Sequence, residues 1–340
     1  MNYKGLLLIL AICLTSCDLN HPPINIGGDY FKPKWPGVRN GNVRVIQIEE
    51  KGKQYNLWTK TFGNSINKRI LLLSGGPGCS HEYFECFENY LPAEGIEFIY
   101  YDQLGTGFSD HPKDTSMWDL ARYVEEVETV RKALQLGPSD FYLLGHSWGG
   151  ILAMEYALKY QKNLKGLIIS NMMASCPKYD QYAKDVLAKK INAIVLDSIK
   201  MLESKGDIHN PRYTELLMTH FYSQFICRIP LAEWPEPLQR SFNGLNESLY
   251  VTMQGPSEFG ISGKLENWDR SSELNQLKIP VLVIGATYDT MDPEYMSWMS
   301  QQIKGATFLL CPNGSHMCMW DDQEHYFQGL ISFFRNELSR

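Results

Sequence analysis

The chain has 340 residues, with 32 Lys and Arg against 38 Asp and Glu and a formal charge of −6. That length holds one large α/β domain with an insertion, or two domains, with an ordinary packed core either way. The basic residues are dispersed rather than clustered, which excludes nucleic acid as a partner, and nothing in the composition suggests disorder.

The first twenty residues, MNYKGLLLILAICLTSCDLN, set a basic Lys4 before an apolar stretch from Leu6 to Leu14. This stretch is too short to span a bilayer comfortably and has the form of a secretory hydrophobic region. It ends in Leu14-Thr15-Ser16-Cys17, which resembles a bacterial lipobox, where the cysteine is lipidated and becomes the new N-terminus. The expectation is a signal segment over 1–17, Cys17 as the lipid attachment point, and an exported protein anchored to a membrane in the periplasm or at the cell surface. A plain signal peptide with an incidental cysteine is the alternative. Residues 18–42, rich in Pro, Gly and Asn, read as a tether.

Beyond the tether, VRVIQI (43–48) and YNLWTK (55–60) form a candidate hairpin. RILLLS (69–74), IEFIYYD (96–102), FYLLG (141–145), LKGLIISN (164–171), IPVLVIGA (279–286) and ATFLLCP (306–312) read as further strands. Helical patterns separate them, among them 120–136, where Glu125 and Glu126 are set against Arg131 and Lys132. Such alternation predicts an α/β fold with a mostly parallel sheet covered by helices on both faces. Between 176 and 268 the periodicity is helical and aromatic-rich with no convincing strand. The expected organisation is therefore a core over 43–175 and 269–340, with a helical cap over 176–268.

Six cysteines remain beyond Cys17: Cys79, Cys86, Cys176, Cys227, Cys311 and Cys318. They include no C-x-x-C pair and no metal-ligand spacing, so no metal or cofactor is expected. Buried free thiols are the default, with a Cys79–Cys86 disulfide as the alternative.

The chemistry concentrates at Gly145-His146-Ser147-Trp148-Gly149, which follows an apolar run and opens a helical stretch. A serine hydroxyl needs exposure and a base before it becomes a nucleophile. A Gly-x-Ser-x-Gly turn between strand and helix supplies the exposure, which makes Ser147 the candidate nucleophile rather than a structural turn residue. An acid and then a histidine should follow, each just past a strand. Asp289 lies past IPVLVIGA and His316 past ATFLLCP, while Asp292 is a rival acid whose other reading is a helix cap before Pro293. His146 sits in the turn itself and reads as packing, and His325 falls within the last helix. The backbone N–H of Trp148 is one candidate oxyanion donor, and the loop Ser74-Gly75-Gly76-Pro77-Gly78 is placed to give the other.

Taken in order, GGPG (75–78), YDQLGTGFSD (101–110), GHSWGG (145–150), GPSEFGISGKLENWD (255–269), YDTMDP (288–293) and NGSHMCMWDD (313–322) resemble the proline iminopeptidase family of α/β-hydrolases, which includes the tricorn-interacting aminopeptidase. The resemblance implies a metal-independent serine aminopeptidase acting on short peptides with a free N-terminus, proline being the expected first residue. It places nucleophile, acid and base on Ser147, Asp289 and His316, the oxyanion donors on Gly76 and Trp148, and a carboxylate for the substrate's α-ammonium on Glu258. Three positions depart from the family pattern. Ser74 replaces a histidine and Leu104 an arginine, and Thr290 stands where the tricorn-interacting aminopeptidase has a second ammonium-binding glutamate, for which Asp292 is the residue available to compensate. An esterase or lipase of the same fold, and a peptide-binding lipoprotein without turnover, are the competing readings.

Overall fold

A computed structural model describes residues 42–336; Cys17, the signal-like segment and nearly all of the tether lie outside the described residues. Eight strands form a single sheet in the order β1-β2-β4-β3-β5-β6-β7-β8. They are β1 (Asn42–Glu50), β2 (Lys53–Phe62), β3 (Arg69–Leu73), β4 (Glu97–Tyr101), β5 (Phe141–His146), β6 (Gly166–Ser170), β7 (Val281–Ala286) and β8 (Thr307–Cys311). β1 and β2 pair antiparallel, with Ile46 opposite Leu57, and β2 joins β4 antiparallel. Every other pairing is parallel.

The central strands read as unbroken apolar runs because both of their faces are covered. Leu71, Leu73, Leu143, Leu167, Ile169 and Val283 point into one core, and the alternate residues Ile70, Leu72, Leu144, Ile168 and Ile284 point into a second. Helices α1 (Leu120–Ala133), α2 (Trp148–Tyr160), α8 (Pro293–Gln302) and α9 (Gln323–Asn336) lie among the strands in sequence. Asp119 caps α1 by accepting from the Arg122 N–H at 3.0 Å. The charge pairs on α1 differ from those read off the sequence. Arg131 pairs with Glu128 at 2.7 Å, Glu126 with Arg122, and Glu125 reaches Lys159 on α2 at 2.6 Å. Residues five or six apart lie on different faces of a helix, whereas three or four apart they adjoin.

Between β6 and β7 the chain forms α3 (Cys176–Tyr182), α4 (Ala193–Ser204), α5 (Pro211–Leu217), α6 (Glu236–Asn243) and α7 (Glu247–Met253). α3 and α5 each run on into a π turn, Ala183–Leu187 and Met218–Tyr222. These helices bury small clusters of their own, one built on Leu187, Phe221 and Phe225 and another on Ile199, Tyr213 and Leu216. All six cysteines beyond Cys17 are buried and free, so Cys79 and Cys86 form no disulfide. No described helix is long and apolar enough to cross a membrane.

Candidate active site

Ser147 stands at the turn from β5 to α2 with φ +56° and ψ −128°, a conformation that costs a residue with a side chain about 1–3 kcal/mol. The turn is tight because strand and helix cross almost in contact. A Cβ on Gly145 would come within 2.0 Å of the Gly149 carbonyl oxygen, and one on Gly149 within 2.1 Å of the Leu73 carbonyl oxygen. Only glycine fits at either place, and the result is a serine lifted toward a cavity over the C-terminal ends of the strands.

His316 lines the same cavity as Ser147. Its Nδ1 lies 2.7 Å from Asp289 Oδ1, and both side chains are buried. Nδ1–H donates to the carboxylate, which leaves Nε2 as a bare acceptor. That Nε2 is one of three buried side-chain nitrogens without a partner among the described residues. Burial disfavours the imidazolium, but the charge of Asp289, with Glu258 behind it, outweighs burial and holds His316 above its ordinary pKa of 6.5.

Asp289 is itself held. Asn171 Nδ2 donates to its Oδ2 at 2.7 Å, and the Met291 N–H donates to its Oδ1 at 3.1 Å. Asn171 was not singled out by the sequence reading; an asparagine directly after a buried strand, here with φ +52°, was the available signal. Asp292 does not line the cavity. Its carboxylate accepts from the Glu294 N–H at 2.9 Å and caps α8.

The loop after β3 brings Gly75 and Gly76 to the cavity wall. Gly76 has φ +105°, and a Cβ there would meet the Gly78 nitrogen at 2.7 Å. Trp148 opens α2, so its N–H is among the helix donors no intrahelical carbonyl can reach. The two unusual residues nearby leave the loops well supported. Ser74 Oγ donates to the Cys79 carbonyl at 2.9 Å, and Gln103 Nε2 donates to the Ser74 carbonyl at 3.0 Å. Gln103 also accepts from Trp148 Nε1 at 2.9 Å, tying both loops together. Leu104 is buried, its N–H donating to Glu126 and its carbonyl accepting from the Tyr123 hydroxyl, each at 2.9 Å. Thr290 points at the dyad rather than the cavity, with Oγ1 at 3.1 Å from His316 Nδ1.

Glu258 lines the cavity from the loop after α7. Tyr250 donates to its Oε1 at 2.7 Å and Tyr179 to its backbone carbonyl at 2.6 Å. Burial pushes its carboxyl up, against the opposing pull of His316 and the two tyrosine hydroxyls. The remaining lining is largely apolar and aromatic, including Tyr213, Leu217, Tyr222, Ile226 and Phe242, and contains no lysine or arginine. Cys79 also lines it, but burial, with the charge of Glu258 adding, pushes its thiol up to about 12, far from a thiolate nucleophile. Among the described residues no cluster could hold a metal ion.

Residues 68–194 match the alpha/beta hydrolase fold family. Proline iminopeptidase from Chitinophaga pinensis is 52% identical over 291 residues, covering 86% of this chain and 97% of its own. The enzyme of the same name from Saccharolobus solfataricus is 36% identical, covering 87% of this chain and 92% of its own. Among solved structures, proline iminopeptidase from Mycobacterium smegmatis superposes with a TM-score of 0.76 at 26% identity, covering 87% of this chain and 99% of its own.

Proposed function

Because the chain belongs to the proline iminopeptidase family of α/β-hydrolases, we propose that it is a serine aminopeptidase releasing an N-terminal residue, proline foremost, from short peptides. The observation that carries this reading is that Glu258 shares one cavity with Ser147 and His316, in a lining without lysine or arginine.

The reaction follows from the atoms. The substrate's α-ammonium pairs with Glu258, a charge-assisted contact that fixes the register from the N-terminus. The scissile carbonyl then meets Ser147 Oγ, whose proton passes to His316 Nε2 as the new C–O bond forms. Asp289 keeps His316 in the required tautomer and stabilises the imidazolium. The N–H groups of Gly76 and Trp148 receive the oxyanion. His316 returns its proton to the leaving amine as the C–N bond breaks, and water repeats the sequence on the acyl-enzyme. The helices from 176 to 268 act as a cap, excluding water and shaping the pocket for the first side chain.

The segment before residue 18 supports a further proposal on location, carried by Lys4, the apolar stretch and Leu14-Thr15-Ser16-Cys17: the protein is exported and anchored through lipid on Cys17. Metabolic labelling with a fatty-acid probe tests it, since Cys17→Ala should abolish incorporation. Incorporation that persists in the variant would sink the assignment.

The activity is tested with prolyl-2-naphthylamide and its N-acetyl derivative. Release of naphthylamine from the first and not the second is expected. Equal cleavage of both would take the ammonium out of recognition and favour an esterase-like enzyme, while a folded protein that neither turns over nor labels with a fluorophosphonate would be a binding protein.

A further inference from the structure

The elbow histidine, His146, has no role in the mechanism above, yet it is fully buried between the two loops that the mechanism uses. Its Nε2 lies 2.9 Å from the backbone carbonyl oxygen of His316, and its Nδ1 lies 3.1 Å from the Tyr83 hydroxyl. That hydroxyl in turn accepts from the Gly75 N–H at 2.6 Å. Tyr83 is fully buried as well.

The direction of every proton in this chain is determined. A carbonyl oxygen can only accept, so Nε2 of His146 carries hydrogen. Burial, with the charge of His316 adding, drives the His146 imidazole well below its ordinary pKa; it is therefore neutral, and Nδ1 is a bare acceptor. Tyr83 O–H must donate to that Nδ1, which leaves its oxygen lone pairs free to accept from Gly75. The result is a one-way relay from Gly75 N–H through Tyr83 and His146 to the His316 carbonyl. It spans four places in the fold: Gly75 in the loop after β3, Tyr83 in the short helical turn His81–Asn89, His146 at the end of β5 and His316 in the loop after β8.

The two ends of the relay adjoin the reacting groups. Gly75 precedes the oxyanion donor Gly76 and runs close beside the nucleophile, leaving no room for a side chain, since a Cβ on Gly75 would lie 2.8 Å from Ser147 Cβ. The other end holds the backbone of the base itself. We infer that Tyr83 and His146 are positioning residues that set the oxyanion loop and the His316 backbone in register with each other, so that donor, nucleophile and base are aligned together. This inference rests on the aminopeptidase reading for the reaction it serves, but not for the tautomer it requires.

Tyr83→Phe removes one oxygen and keeps the ring. With prolyl-2-naphthylamide its kcat should fall about 10–100-fold, the range expected when reacting groups are misplaced by up to an ångström, with KM within about threefold. Inhibition by L-prolinal, an aldehyde whose adduct with Ser147 needs the oxyanion donors, should weaken by the same factor as kcat. Inhibition by L-proline, which needs only the ground-state pocket, should hold. His146→Gln, which retains an acceptor and a donor, should keep more activity than His146→Leu. Nitrogen-15 NMR of the wild-type protein should show His146 neutral with hydrogen on Nε2, opposite to the Nδ1–H of His316. An unchanged kcat in Tyr83→Phe, parallel loss of prolinal and proline binding, equal activity in the two His146 variants, or hydrogen on Nδ1 of His146 would each overturn the relay. If the wild type does not cleave prolyl amides, the aminopeptidase reading falls instead, and the tautomer measurement still judges the relay.

Discussion

The strand ends and the inserted helices meet at one cavity but build their sides of it by different means. On the sheet side, Ser147, Asp289 and His316 are buried and are held by backbone crossings that only glycine permits and by neighbours such as Asn171. On the helical side, Glu258 sits on a loop after α7, steadied by tyrosine hydroxyls, while Ile208, Thr214 and Glu247 line the cavity and remain at least partly exposed. Part of the helical side packs into two small clusters of its own, while Tyr179, Leu249 and Met253 join one core of the sheet and Leu238 the other. Rigid backbone serves bond-making, where small displacements cost most; side chains on the inserted helices and loops serve recognition, where variation is tolerated.

Substitutions should divide along that line. The largest effect belongs to Ser147→Ala, which should lower kcat on prolyl amides roughly 10⁶-fold with the thermal transition retained, as steady-state naphthylamine release and a melt would show. Asp289→Asn should lower kcat about 10⁴-fold by spoiling the tautomer of His316. It should also move the acidic limb of the pH profile. The base works when neutral and its pKa is raised in the native protein, so wild-type kcat/KM is lost as pH falls through a value above 6.5. Without the carboxylate the limb shifts to lower pH.

Glu258→Gln, on the helical side, should cost about 10–100-fold in kcat/KM on free-amine substrates, the worth of a hydrogen bond to a charged group. Labelling of Ser147 by a fluorophosphonate should stay near the wild-type rate. The smallest effect is Asp292→Ala, which removes the cap of α8 and should reduce stability by about 1 kcal/mol in a denaturant melt, leaving the pH profile in place. Loss of activity comparable to that of Asp289→Asn would make Asp292 the acid and redraw the sheet side of the comparison.

The sheet side was the more legible in sequence. The strands from β3 to β8 fall on apolar runs recognisable by composition, β1 and β2 on alternating segments readable as a hairpin, and an α/β sheet followed from the alternation of strands with helices. The elbow was readable because Gly145, serine and Gly149 form a short contiguous pattern between strand and helix, although the contact that dictates Gly149 comes from Leu73 on β3. Contacts between distant segments were not readable. Asn171 reaches Asp289 across 118 positions, and His146 reaches the His316 carbonyl across 170, so no local spacing announces either. The α1 ion pairs were misjudged because helical geometry pairs Arg131 with Glu128 rather than with Glu125 or Glu126. On the helical side periodicity indicated helices but not their assembly, and Glu258 drew notice only through family resemblance.

The central claim is that Glu258 binds the substrate's ammonium in register with Ser147. The most direct measurement is a double cycle of kcat/KM, wild type and Glu258→Gln, each on prolyl-2-naphthylamide and on the cyclopentanecarbonyl analogue, which lacks the nitrogen. A coupling of about 1.5–3 kcal/mol is expected, with the variant losing activity on the prolyl substrate and almost none on the analogue. Equal losses on both substrates, and so no coupling, would contradict it.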